Sequence, residues 1–106
     1  MKNNIGYIKD ILEHIIHIEN FLFNVTEGEF YKNKEKEFSV IRSFEVIGEA
    51  PRKVGDNLKE KNKDIPWKKM AGFRDILIHD YDRLVAEVVW KTAKESDLCR
   101  INWRIK

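Results

Sequence analysis

The densest chemistry in this sequence lies at residues 74–81, Arg74-Asp75-Ile76-Leu77-Ile78-His79-Asp80-Tyr81. A permanent cation, a carboxylate, an imidazole and a phenol fall within one short stretch. An arginine fork binds phosphate through two parallel hydrogen bonds and stays charged at any working pH. A histidine titrates near neutrality and passes protons. Together they suit cleavage of an RNA phosphodiester by its own 2′-hydroxyl, the imidazole moving the proton and the guanidinium holding charge on the crowded phosphorus. That chemistry calls for no metal and no cofactor. It does call for both a base and an acid, and the segment offers one histidine per chain. A symmetric dimer would bring the second. Taken alone, an Arg and a His on one helix most often form a surface or capping pair.

The spacing adds two geometric conditions. Asp75 and His79 are four apart, on one helix face, where a carboxylate can orient an imidazole and raise its basicity. Arg74 and His79 are five apart, about 140° around a straight helix. Both address one ligand only if the helix ends near His79 or the site is shared between chains.

The elements that carry these residues are helical. Over residues 4–25, Ile5, Ile8, Ile11, Leu12, Ile15, Ile16, Ile18, Phe21, Leu22 and Val25 share one broad arc, opposite Lys9, Asp10, Glu13, His17 and Asn20. That is the period of an amphipathic helix, without the alternation of a strand. Thr26-Glu27-Gly28 is expected to break it, with one short turn over 29–34. A second helix is expected over 35–54, with a kink or break around 47–50 because Pro51 removes a backbone donor. Residues 59–64 read as a solvated run of charge, and Ile65-Pro66-Trp67 as part of a helix entrance. A third helix is expected over 67–78 and a fourth over 83–99. The fold class is all-α, a bundle of four main helices with room for one short extra.

Composition narrows the setting. A chain of 106 residues, 42% hydrophobic and 36% charged, makes one small domain over 1–106. Twenty Lys and Arg against eighteen Asp and Glu leave net +2, too balanced for a coat that binds nucleic acid by charge alone. Any such contact must be local. Residues 31–69 carry net +4, whereas 1–30 carry net −3. One cysteine, Cys99, excludes a disulfide framework, and no apolar run is long enough to span a bilayer. A cytoplasmic domain is expected, with no membrane partner.

Arg74, four residues, His79, one residue and Tyr81 reproduce the R-x4-H-x-Y signature of HepT-like HEPN toxins. Further stretches resemble the same family: YIKDILEHI at 7–15, VIRSFEVIGEA at 40–50, IPWKKMAGFRDILIHDY at 65–81, and Val88-Val89-Trp90. The resemblance covers roughly residues 3–98. It implies a HEPN bundle that dimerises so that two motifs face one RNA cleft. It also implies a metal-independent endoribonuclease, the toxin partner of a minimal nucleotidyltransferase antitoxin that transfers AMP to the motif tyrosine. Carried over, Arg74 stabilises phosphate charge, His79 is the acid and base, Asp75 orients or tunes, and Tyr81 accepts AMP. The alternative within the resemblance is a non-catalytic HEPN module that docks a nucleotidyltransferase or a nucleotide. Pro51, Asp82-Arg83 after the tyrosine, and the tail CRINWRIK at 99–106 depart from the usual pattern, none of them at Arg74, His79 or Tyr81.

Other residues have weaker claims. Arg42, Glu45 and Glu49 fall within about 60° on one helix face, either as a solvated stripe or lining a dimer interface beside the cleft. Gly48 there would allow close helix approach. His14 and His17 are three apart but lack a third metal ligand. Trp67 reads as a staple at a helix start, and Cys99 as an ordinary small apolar residue.

Overall fold

A computed structural model describes residues 4–63, 65–79 and 82–95. Six helices run α1 (Asn4–Leu22), α2 (Glu27–Lys32), α3 (Lys34–Lys53), α4 (Asp56–Lys61), α5 (Trp67–His79) and α6 (Arg83–Glu95). Among the described residues there is no strand, so the all-α bundle holds, with two short helices rather than one. No helix there is long and apolar enough to cross a membrane.

α3 is the central element, packed along α1 on one side and α5 on the other. Ile11, Ile15, Ile18 and Leu22 of α1 meet Val40, Phe44 and Ile47 of α3, and Met70, Leu77 and Val89 close the core. Phe44 meets Phe73 edge-on at 5.1 Å, a favoured aromatic geometry that fixes α3 on α5. Phe30 on α2 is fully buried and packs against Trp90 of α6.

Local signals explain where the helices stop and start, and correct several expectations. α1 ends at Leu22, short of 25, because Asn24 takes a left-handed φ of 56° and turns the chain out. Thr26 is therefore a cap, not a break: its hydroxyl accepts the Glu29 N–H at 3.2 Å and opens α2. Asn33 does the same for α3, accepting from the Lys36 N–H at 3.1 Å. The break expected from Pro51 is absent, and α3 continues to Lys53. Pro51 removes the bond to the Ile47 carbonyl but is buried within α3, and the helix continues past it, Val54 N–H reaching Ala50 O at 2.9 Å. Part of the charged run at 59–64 is helical, as α4, yet α4 buries no residue. Asp82, a departure from the family pattern, caps α6 by accepting the Val85 N–H at 3.0 Å. The expected continuation of α6 to 99 lies outside the described residues, as does Cys99.

Candidate active site

α5 delivers the motif. Its start is fixed by Ile65, which is buried, and by Trp67, whose indole N–H donates to the Asn62 carbonyl at 3.1 Å. From there α5 packs along α3, and the two backbones come close at Gly48. A β-carbon built on Gly48 would lie 2.6 Å from the Met70 carbonyl oxygen and collide with the Arg74 β-carbon. Only glycine admits that approach.

The approach sets Arg74 over the polar stripe of α3. Arg74 Nε lies 2.8 Å from Glu49 Oε2, and its Nη1 donates to Asp75 Oδ1 at 3.4 Å. Glu49 Oε2 is shielded from solvent and accepts no well-aligned hydrogen bond, so its tie to Arg74 is one of charge to charge. Asp75 Oδ1 also accepts from Arg52 Nη2 at 2.9 Å. The expected carboxylate–imidazole contact is thus replaced by two guanidinium contacts. A cation from α3 takes the lone pairs that spacing along α5 offered to His79.

Arg74 opens onto a cavity of about 330 Å³ between α1, α3 and α5. Arg42, Glu45 and Glu49 of α3 all line it, with Tyr7 and Asp10 of α1 and Ile78 of α5. The α3 stripe is a cleft wall, not simply a solvated face. His79 is the last residue of α5 and is exposed. It makes no hydrogen bond or ion pair with any described residue. Tyr81 and Asp80 lie outside the described residues.

Residues 11–101 match the family described as ribonuclease HepT-like. The chain belongs to the HepT-like ribonuclease family. A candidate RNase of Methanocaldococcus jannaschii is 44% identical over 84% of this chain and 74% of its own length. A HepT ribonuclease candidate of Thermococcus cleftensis is 42% identical over 85% of this chain and 82% of its own. A candidate RNase of Caldanaerobacter subterraneus is 36% identical, covering 76% of each chain. No solved structure gives a significant match.

Sequence reasoning missed three residues in and beside this cleft. Tyr7 and Asp10 reach it from α1, and Arg52 reaches it from the end of α3. Their role depends on how helices cross, which no local pattern encodes. Arg52 carried one signal, its position a single turn beyond Glu49 on the same helix. The histidine pair of α1 has another use than a metal: His14 Nδ1 lies 3.1 Å from the Ser43 hydroxyl, and its ring meets that of His17 edge-on at 5.1 Å. Burial, and then the neighbouring His17, pull His14 below the usual imidazole range. Among the described residues no three His, Cys, Asp or Glu side chains gather as a metal site.

Proposed function

We propose that this chain is an endoribonuclease whose reaction centres on Arg74 and His79. Family membership carries the reading, supported by the position of Arg74 at a cleft and by the exposure of His79 on the same helix. In the proposed step the 2′-oxygen attacks phosphorus and the bond from phosphorus to the 5′-oxygen breaks. One imidazole accepts the 2′-hydroxyl proton, and an imidazolium returns a proton to the leaving 5′-oxygen. The Arg74 fork binds the non-bridging oxygens, where negative charge grows in the transition state. Since each chain brings one motif histidine, a homodimer supplies the acid–base pair. The products are a 2′,3′-cyclic phosphate and a free 5′-hydroxyl, and no metal takes part.

The biological setting follows from the family resemblance. The chain acts as a toxin, and a minimal nucleotidyltransferase silences it by placing AMP on Tyr81. An added phosphate two residues from His79 would bring bulk and negative charge to the place where the RNA phosphate must sit.

The test is RNA cleavage in EDTA with end-group analysis. Wild type is expected to leave cyclic phosphate ends, and His79→Ala to leave RNA intact. Equal cleavage by both proteins would remove His79 from the mechanism. No cleavage by wild type, with co-purification of a nucleotidyltransferase, would leave a docking module instead. Intact mass after incubation with that enzyme and ATP should rise by whole AMP increments, and Tyr81→Phe should abolish the rise.

A further inference from the structure

The proposed cleft is not electropositive. Its wall carries three carboxylates, Asp10, Glu45 and Glu49, against two guanidiniums, Arg42 and Arg74. Arg74 is further engaged by Glu49 and Asp75. A polyanion gains most of its affinity by neutralising several phosphates along its length, so the cleft alone attracts RNA poorly. The positive field must come from elsewhere on the surface.

One region supplies it. Between residues 52 and 69 stand seven Lys and Arg against three Asp and Glu, and the rest of the chain carries thirteen against fifteen. Without this region the protein is net acidic. The region is one corner of the fold, made by the end of α3, by α4 and by the start of α5. Buried Val54 and Ile65 pin its two ends. Between them α4 buries no residue, so core packing does not account for it. A six-residue helix is too short to be stable by itself, and here it displays charge from a fixed frame. Lys53, Lys61, Lys68 and Lys69 are exposed, and no carboxylate among the described residues pairs with them. The corner joins the cleft through Arg52, because Asp75 Oδ1 is shared by Arg52 and Arg74.

We infer that this corner is the RNA-holding surface, gripping the phosphates of a single strand beside the one presented to Arg74. The inference rests on the ribonuclease reading for its ligand. Its test reads binding instead of cleavage, so the two can fail separately.

The experiment uses the His79→Ala protein and a fluorescein-labelled single-stranded RNA oligonucleotide, with anisotropy measured across a salt series. In one variant Lys61, Lys68 and Lys69 become Gln; in a matched control Lys9, Lys32 and Lys91 become Gln. All six side chains are exposed, and unchanged circular dichroism checks the folds. Each lost phosphate contact lowers the logarithmic salt slope by about 0.7 for single strands, so the corner variant should lose about two from its slope. Its affinity should fall at least tenfold, and the control should move far less. Equal effects of the two triple variants, no effect of the corner variant, or no RNA binding by the parent would overturn the assignment. Unchanged RNA affinity would give the corner to a different partner, such as an acidic protein face. A wild type that binds through the corner but never cleaves would overturn the ribonuclease reading and leave this inference standing.

Discussion

Arg74 and Glu49 face each other at 2.8 Å across the seam between α5 and α3, one on the motif helix and the other on the central helix. The guanidinium therefore reaches the cleft already anchored by its Nε edge. A phosphate bound in the proposed role would use the remaining donors, and an arginine fork has enough to serve both groups. Anchoring lowers the entropy lost when the phosphate binds, and it also offsets part of the charge that attracts the phosphate. Because binding and orientation pull in opposite directions here, the carboxylate should influence turnover more than affinity.

Glu49→Gln tests that balance. The substitution keeps size and an acceptor but removes the charge that holds Nε. We expect kcat on RNA to fall about tenfold, a barrier change near 1.4 kcal/mol, with KM unchanged or lower. Stability should barely respond, since partly exposed ion pairs contribute about 0–1 kcal/mol. Single-turnover kinetics beside a thermal melt would separate the effects. Undiminished kcat would mean that Arg74 takes its orientation from Asp75 alone.

Two glycines make a matched pair. Gly72→Ala on α5 meets nothing within 4 Å, so it should stabilise the helix by roughly 0.5–1 kcal/mol through propensity alone. Gly48→Ala gains the same propensity but drives a methyl against the Met70 carbonyl, a backbone atom that cannot swing aside. Overpacking of this kind costs about 1–3 kcal/mol, so the net change should be destabilising. Thermal melts should thus move in opposite directions for the two variants. A stabilised Gly48→Ala protein would show that α3 and α5 separate freely.

The parts of this fold that show in the sequence are those with a repeating apolar face. α1, α3 and α5 each bury one stripe, so their periodicity reports them directly. α4 buries nothing and leaves no stripe to read, which is why its residues look like a charged loop. Pro51 misleads for a related reason: it is buried, and the packing that holds the helix through it does not show in the residues around it. The site divides similarly. Arg74, Glu49 and Gly48 stand out by type and spacing, whereas Tyr7, Asp10 and Arg52 enter through helix crossings. Asp75 shows the limit of reasoning along one helix, because the competing partner Arg52 comes from another.

Arg74→Lys asks whether charge or shape is needed. Lysine keeps the cation but presents a point charge on a flexible stem, without the planar fork that spans two phosphate oxygens. Losing a preorganised donor at a developing negative charge typically costs about 100-fold or more in kcat. We expect that loss here, with RNA affinity reduced only modestly. Activity within about threefold of wild type would mean that the site needs a positive charge and no defined donor geometry.

His14 should make stability depend on pH. Burial first, then the charge of His17, disfavours its imidazolium in the folded chain; Arg42 adds to this, while Asp10 and Glu13 oppose it. Its folded pKa lies below the ordinary value of 6.5, so between the two values the unfolded chain binds more protons than the folded one. Stability from this group is full above 6.5, falls as pH drops towards the folded pKa, and is level below it. The melting temperature should decline on acidification from neutrality, and His14→Gln should flatten the slope in that window. The glutamine can still bond the Ser43 hydroxyl, so a general loss of packing would lower the melting temperature equally at every pH. A slope unchanged in His14→Gln would assign the dependence to another group.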